Sequence, residues 1–298
     1  MKHLILLLLI IANTGCVFSQ TEIKLYTRVP NAKQHSIQEV RRKDKDGRLA
    51  YLEKISDPFL IVFNPVKKNG TSIIFCPGGG YERLNVRNAR YIAEKLNEWG
   101  ITVFVLAYRL PSSETMHDPS IGPLQDMQAA LRLLYQDAEK YGLDRNKIGV
   151  WGSSAGGHLA AMASTRFDVS FLPDKDVEPM RPAFTILAWP VVSLRFQKGG
   201  TFKNLLGEAV TEEQVGFFSP DEHVTENTPP AFLVHASNDP SVSAENSIIY
   251  YKALQKHKVA AELHIYQNDK HGFGISPEVI DNGWMNELKK WLTLFPKL

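Results

Sequence analysis

Cysteine is nearly missing from this chain: Cys16 and Cys76 are the only two in 298 residues. If the N-terminal leader is removed, Cys76 stands alone and no intramolecular disulfide can form, so stability must come from an apolar core. No Cys/His cluster has the spacing of a structural zinc site, and no metal is expected. Charge of one sign is lacking too. The 34 Lys and Arg nearly balance the 32 Asp and Glu, for a formal net charge of +2. No basic stripe is interleaved with aromatics, so nucleic acid is excluded as a partner. The densest charge run, "RRKDKDGR" (Arg41 to Arg48), is mixed in sign and reads as a solvated hairpin or turn. Glycine (20) and proline (17) are at ordinary levels, which excludes collagen-like and long disordered chains.

Long hydrophobic runs are also absent. The longest, "LILLLLIIA" (Leu4 to Ala12), is too short to cross a bilayer comfortably, so no transmembrane span is expected. It follows Met1-Lys2-His3 and precedes small polar residues, the pattern of a secretory signal peptide. Residues 1–19 are read as that signal, with cleavage after Ser19 leaving Gln20 first. The other processing route lipidates Cys16 after Gly15, as in bacterial lipoproteins, although Asn13 stands where such motifs carry an aliphatic residue. Either route exports the chain, to the periplasm or beyond the cell, or leaves it anchored by lipid at Cys16 in the outer membrane.

What is present is a strand and helix alternation. "AELHIYQ" reads as a strand, and "TSIIFC", "ITVFVLAYR", "KIGVWG", "PAFTILAWPVV" and "AFLVHAS" are short, mainly apolar runs. Such runs read as strands buried on both faces. Between them lie stretches of helical periodicity: Asn88 to Gly100, Pro123 to Gly142 as one helix of about five turns, the run after Ser154, and "SAENSIIYYKALQKH". "NGWMNELKKWLTLF" closes the chain as a helix. This pattern predicts an α/β fold with a doubly wound, mostly parallel central sheet and helices on both faces. No linker or internal repeat divides it, so residues 20–298 are expected to form one catalytic domain. The segment from Ser193 to Thr228 lies between core strands, where α/β proteins build substrate walls.

The chemistry centres on "WGSSAGG". Gly152-Ser153-Ser154-Ala155-Gly156 matches G-x-S-x-G, between a predicted strand and a predicted helix. Such a turn is too tight for bulky neighbours and exposes its central hydroxyl above the sheet. Ser154 is the candidate nucleophile; Ser153 reads as an ordinary structural serine. A nucleophilic serine needs a base and an orienting acid, which in this topology follow in the order Ser, acid, His. Asp239, in the loop after "AFLVHAS", and His271, in the loop after "AELHIYQ", meet that order. An Asx-turn role for Asp239 is the bland alternative; Glu245 and Asp269 are competing acids. His158 reads as structural, His235 as a satisfied strand-end histidine, and His117 as a weak competitor for the base. Donors for a developing oxyanion are expected from Gly79, Gly80 and Ala155, because "CPGGGY" lets the backbone approach a substrate closely. The Lys-Ser/Thr that a phosphate-cradling loop would need is absent. Tyr81 and Trp189 are candidate substrate-lining residues, with packing as the alternative for Trp151 and Trp189.

Taken together, "CPGGGY", "AYRL", "WGSSAGGHLAA", "DPSVSAENSIIYYKAL" and "HGFG" resemble the α/β-hydrolase superfamily. The nearest branch is that of secreted carbohydrate esterases of the acetyl xylan esterase and feruloyl esterase type, related to hormone-sensitive lipase-like esterases. The resemblance runs from about Val62 to the C-terminus. It implies Ser154 as nucleophile, Asp239 as acid, His271 as base, an oxyanion hole in the glycine loop, and no cofactor. The expected substrate is an acylated plant polysaccharide or a small ester. The loop departs from the lipase-like "HGGG" in reading "PGGGY". The "QNDK" before His271 departs from more glycine-rich relatives and predicts an altered rim. Two other readings stand beside this one: a general short-chain carboxylesterase, lipase or serine peptidase of the same superfamily, and an inactive binding protein on the same fold.

Overall fold

The computed structural model describes residues 21–34, 37–173, 180–196, 199–276 and 283–294. The leader, with Cys16 and both processing routes, lies outside the described residues. In chain order, the first part comprises β1 (Thr21–Lys24), β2 (Val40–Lys43), β3 (Leu49–Glu53), β4 (Phe59–Phe63), β5 (Ser72–Cys76), β6 (Arg83–Asn85), α1 (Val86–Glu98), β7 (Thr102–Ala107), α2 (Gly122–Gln136) and α3 (Ala138–Tyr141). Then come β8 (Ile148–Ser153), α4 (Ala155–Thr165), β9 (Thr185–Ala188), α5 (Gly200–Leu206), α6 (Glu212–Phe217), β10 (Ala231–Ala236), α7 (Glu245–Lys256), β11 (Ala261–Tyr266) and α8 (Trp284–Leu294).

Eight strands form one sheet in the order β1-β4-β7-β5-β8-β9-β10-β11. The β1/β4 and β4/β7 pairs are antiparallel and the rest are parallel. The apolar runs read from sequence become β5, β7, β8, β9 and β10, each buried along its whole length. Helices cover both faces. Successive strand residues point to opposite sides, and β8 shows it. Trp151 meets Trp284 of α8 at 5.9 Å between ring centroids, whereas a Cβ on the neighbouring Gly152 would stand 2.0 Å from the Gly156 carbonyl of α4.

The strand order reverses at β5. The chain leaves β5 for β7 on one side, then crosses back to β8 on the other. In open α/β sheets a crevice opens at such a switch, beyond the carboxyl ends of the strands. The glycine loop after β5 and the serine turn after β8 therefore meet there.

Two local expectations change. The predicted long helix from Pro123 to Gly142 is two helices, because Asp137 leaves helical geometry (φ −96°, ψ 18°) as the cap between α2 and α3. The charged run is a hairpin, β2 to β3, of a small antiparallel sheet completed by β6, but it is not wholly solvated. The Asp44 carboxylate closes the turn by accepting from the Asp46 and Arg48 amides and pairs at 2.9 Å with Arg90 of α1, both side chains being buried. A charge run that looks free in sequence thus fastens the small sheet to the first helix.

Candidate active site

Ser154 sits between β8 and α4 with φ 54° and ψ −123°. A left-handed backbone is costly for a residue bearing a Cβ and clusters at functional sites. Two other non-glycine residues share it nearby: Tyr81 (φ 59°), beyond β5, and Trp189 (φ 40°), next after β9. Surrounding contacts hold the turn. The Ser154 amide donates to the Ala188 carbonyl at 3.2 Å, and its own carbonyl accepts from Val191 at 3.0 Å and Gly157 at 2.9 Å. The flanking glycines are steric requirements: a Cβ at Gly156 would stand 2.1 Å from the Cys76 carbonyl oxygen. Ser153 is buried, as a structural serine would be, but its hydroxyl has no hydrogen-bond partner among the described residues.

The glycine loop lies directly against this turn. A Cβ on Gly78 would come within 3.0 Å of the Ser154 Cβ, so Gly78 marks the closest approach, a role the sequence did not assign. Gly79 (φ 139°) turns the chain, its carbonyl accepting from the Glu82 and Arg83 amides at 3.1 and 3.2 Å. The Gly80 carbonyl accepts from the Asn204 amide of α5 at 2.8 Å. Tyr108, of the "AYRL" motif, donates to the Pro77 carbonyl at 2.7 Å. The next residue, Arg109, is buried with Asp126 of α2 at 2.7 Å, which explains why that motif pairs a tyrosine with an arginine.

Tyr81 is buried, and its hydroxyl donates to Nδ1 of His158 at 2.8 Å. The opposite nitrogen, Nε2, donates to the Phe218 carbonyl at 2.8 Å. This assignment makes the ring neutral, and burial pushes its pKa down to about 4 despite the opposing Phe218 bond. His158 thus joins the glycine loop to the 193–228 segment and is structural, as its position in the helix suggested. That segment holds α5 and α6, contacts the loop through Asn204 and meets His158 of α4 through Phe218.

Asp239 and His271 come together. His271 Nδ1 is 2.7 Å from Asp239 Oδ2. The other carboxylate oxygen, Oδ1, accepts from the Ser241 and Val242 amides at 2.8 and 3.0 Å. The Asx turn and the histidine partner are therefore the same residue, with one oxygen for each. Burial pushes the Asp239 carboxyl up, but the bond to His271 and the two amides outweigh it and hold it below its usual range. The "QNDK" rim links the two loops, since the Asn268 carbonyl accepts from the Asn238 amide at 3.0 Å. His235 lies 3.7 Å from Asp239, but its nitrogens are spent on Ser247 and the Val242 carbonyl. His117 is exposed. Trp189 is buried and packs on Phe273 and Trp284, with its ring centroid 6.4 Å from that of His271. It therefore supports the histidine loop and does not form an open wall. Among the described residues, no group of His, Cys, Asp and Glu could hold a metal ion.

The strand order, the left-handed serine at a strand-to-helix turn and the adjoining glycine loop define an α/β-hydrolase. The sequence matches the BD-FAE family over residues 60–254, and the chain belongs to that esterase family. It is 31% identical over 245 residues to an acetylxylan esterase of Xylanibacter ruminicola, covering 80% of this chain and 48% of the relative. With endo-1,4-beta-xylanase B of Butyrivibrio fibrisolvens it shares 29% over 221 residues, 71% of this chain and 34% of that protein. The chain thus spans between a third and a half of the length of these curated relatives. The structure of an acetyl ester-xyloside bifunctional hydrolase from Caldicellulosiruptor lactoaceticus is similar at 33% identity and a TM-score of 0.74, covering 94% of this chain and 98% of that one. A Thermogutta terrifontis esterase, at 22% identity and a TM-score of 0.67 over 90% of this chain and 95% of its own, shares the fold.

Proposed function

We propose that the chain is a serine carboxylesterase that removes acetyl and other short acyl groups from xylan-type polysaccharides or small sugar esters. One observation carries the reading: a left-handed Ser154 and a His271–Asp239 pair both stand beyond the carboxyl ends of the parallel strands. In this reading Ser154 Oγ attacks the ester carbonyl carbon while His271 Nε2 takes its proton. Asp239, ionised and bonded to Nδ1, holds the ring and stabilises its charge. The oxyanion is met by the N–H groups of Gly79, Gly80 and Ala155. Ala155 opens α4, whose first amides lack acceptors within the helix. The sugar alcohol leaves with the proton from His271. Water, activated by the same histidine, then releases the acid and restores the serine. The names of the acetylxylan esterase and acetyl ester-xyloside hydrolase relatives support the substrate class.

Ser154→Ala is expected to lose roughly 10⁴-fold or more in kcat on p-nitrophenyl acetate while its circular dichroism is unchanged. A variant as active as wild type overturns the nucleophile assignment. The wild type is expected to release acetate from acetylated xylan in preference to ferulate from feruloyl esters. Action only on long acyl chains or peptides overturns the substrate class. The reading also takes residues 20–298 as one exported catalytic domain in the periplasm or outside the cell. Mass spectrometry of the mature protein is expected to find Gln20 first, whereas a lipid-modified Cys16 would establish the anchored form.

A further inference from the structure

A cavity opens beside the glycine loop, on the β7 side. It has a volume of about 260 Å³. Its floor is apolar, with Ile55 and Leu110 buried. Its rim is charged and exposed, with Lys54, Glu82 and Glu114 around it and Asn204 above. Among the described residues none of the three charged side chains has an ion-pair partner within 4 Å. The cavity is joined to the site through a short loop. Gly78 touches Ser154, Asn204 holds the carbonyl of Gly80, and Tyr81 and Glu82 follow immediately as cavity lining.

The chemistry of this lining selects a class of ligand. A fatty acyl chain placed here would strip water from two carboxylates and an ammonium without compensation, a cost of several kcal/mol. A pyranose ring differs, because its C–H faces are apolar and its edges carry hydroxyl donors. The apolar floor meets the first, and the carboxylates accept strong charge-assisted bonds from the second. The volume lies just under the roughly 300 Å³ at which ordinary small-molecule pockets begin, and so suits one ring more than a chain. Two glutamates against one lysine also disfavour an anionic sugar.

We infer that this cavity is a sugar subsite, holding a neutral pyranose ring of the glycan next to the residue whose ester is presented to Ser154. The inference rests on the esterase reading above and adds to it the side of the glycine loop on which the polysaccharide lies. Glu82 and Glu114 then act on the sugar, away from the ester carbonyl.

Kinetics of Glu82→Gln/Glu114→Gln test it, with Ser112→Trp as a second variant that narrows the cavity by bulk. Each is compared with wild type on acetylated xylotriose and on p-nitrophenyl acetate, which has no sugar to seat. The expected result is a fall of tenfold or more in the ratio of kcat/KM on the oligosaccharide to that on the aryl ester, expressed mainly in KM. An unchanged ratio in both variants overturns the subsite and leaves the esterase standing. A wild type that hydrolyses p-nitrophenyl acetate but releases no acetate from acetylated xylotriose overturns the carbohydrate reading, and the subsite with it. A loss on both substrates in equal proportion places the residues in support of the loop, which also overturns the subsite.

Discussion

His158 lies on the helix after Ser154 and His271 in the loop after β11, and the two are wired in opposite ways. His158, on the helix that Ser154 starts, has both ring nitrogens spent, on Tyr81 and on the Phe218 carbonyl, and is buried. His271 spends Nδ1 on Asp239, while Nε2 has no hydrogen-bond partner among the described residues, and its side chain is 26% exposed. A base must have a nitrogen left to use and must tolerate the charge it picks up. Its two hydrogen bonds deny the first to His158 and burial denies the second, whereas the adjoining carboxylate provides for the second at His271. A place beside Ser154 in the chain therefore does not single out a base; the count of unspent nitrogens is the better guide. The buried Arg109–Asp126 pair repeats the point, since Arg109 also bonds the carbonyls of Pro30 and Gly122 and the Gln125 amide oxygen, leaving little for a ligand.

The comparison can be broken most severely at the His271 side. His271→Ala is expected to lower kcat on p-nitrophenyl acetate by roughly 10⁴–10⁶-fold, and Asp239→Asn by about 10⁴-fold, with melting temperatures near wild type. If either variant keeps more than a tenth of wild-type kcat, the assignment of the pair is wrong. His158→Phe should show the reverse pattern. It strands the Tyr81 hydroxyl and the Phe218 carbonyl, at a cost of roughly 2–4 kcal/mol in urea unfolding. Turnover should fall by only about tenfold as the glycine loop loosens. A loss of activity as large as that of His271→Ala would make His158 the base instead.

The smallest effect is one of pH. The unfolded chain's His158 titrates near 6.5 and the folded one near 4. Above about pH 6.5 both states are neutral there and the stabilisation is complete. As pH falls the unfolded chain takes up a proton that the folded one lacks, and stability declines by on the order of 3 kcal/mol down to about pH 4. Urea melts of wild type and His158→Phe across that window should converge as pH falls, because the variant lacks this component. Parallel curves would show that the buried ring is not the source.

Much of this architecture was legible without coordinates. Continuous apolar runs became fully buried strands because a parallel sheet covered by helices leaves no wet face for polar alternation. The serine turn was legible because its steric demand is local: nothing larger than glycine fits at positions 152 and 156. Three features were not legible. Pro123 to Gly142 looked like one helix because a break at Asp137 costs no change in periodicity. "RRKDKDGR" looked solvated because the partner of Asp44 is Arg90, far along the chain on α1. Asp239 offered an Asx turn and an acid as rival readings, because sequence cannot show that its two carboxylate oxygens face different ways.

By itself, then, the sequence determined the strand and helix order and the serine turn, and proposed Asp239 and His271 as the acid and the base. Each rests on short-range sterics or on the fixed order in which a doubly wound chain reaches the end of each strand. Only the tertiary structure decided which histidine is free, which glycine touches Ser154 and how the glycine loop is held. The contacts responsible join residues 60, 77 and 124 positions apart, from His158 to Phe218, Tyr81 to His158 and Gly80 to Asn204. Bonds over such separations depend on how whole elements pack, and no local pattern encodes them.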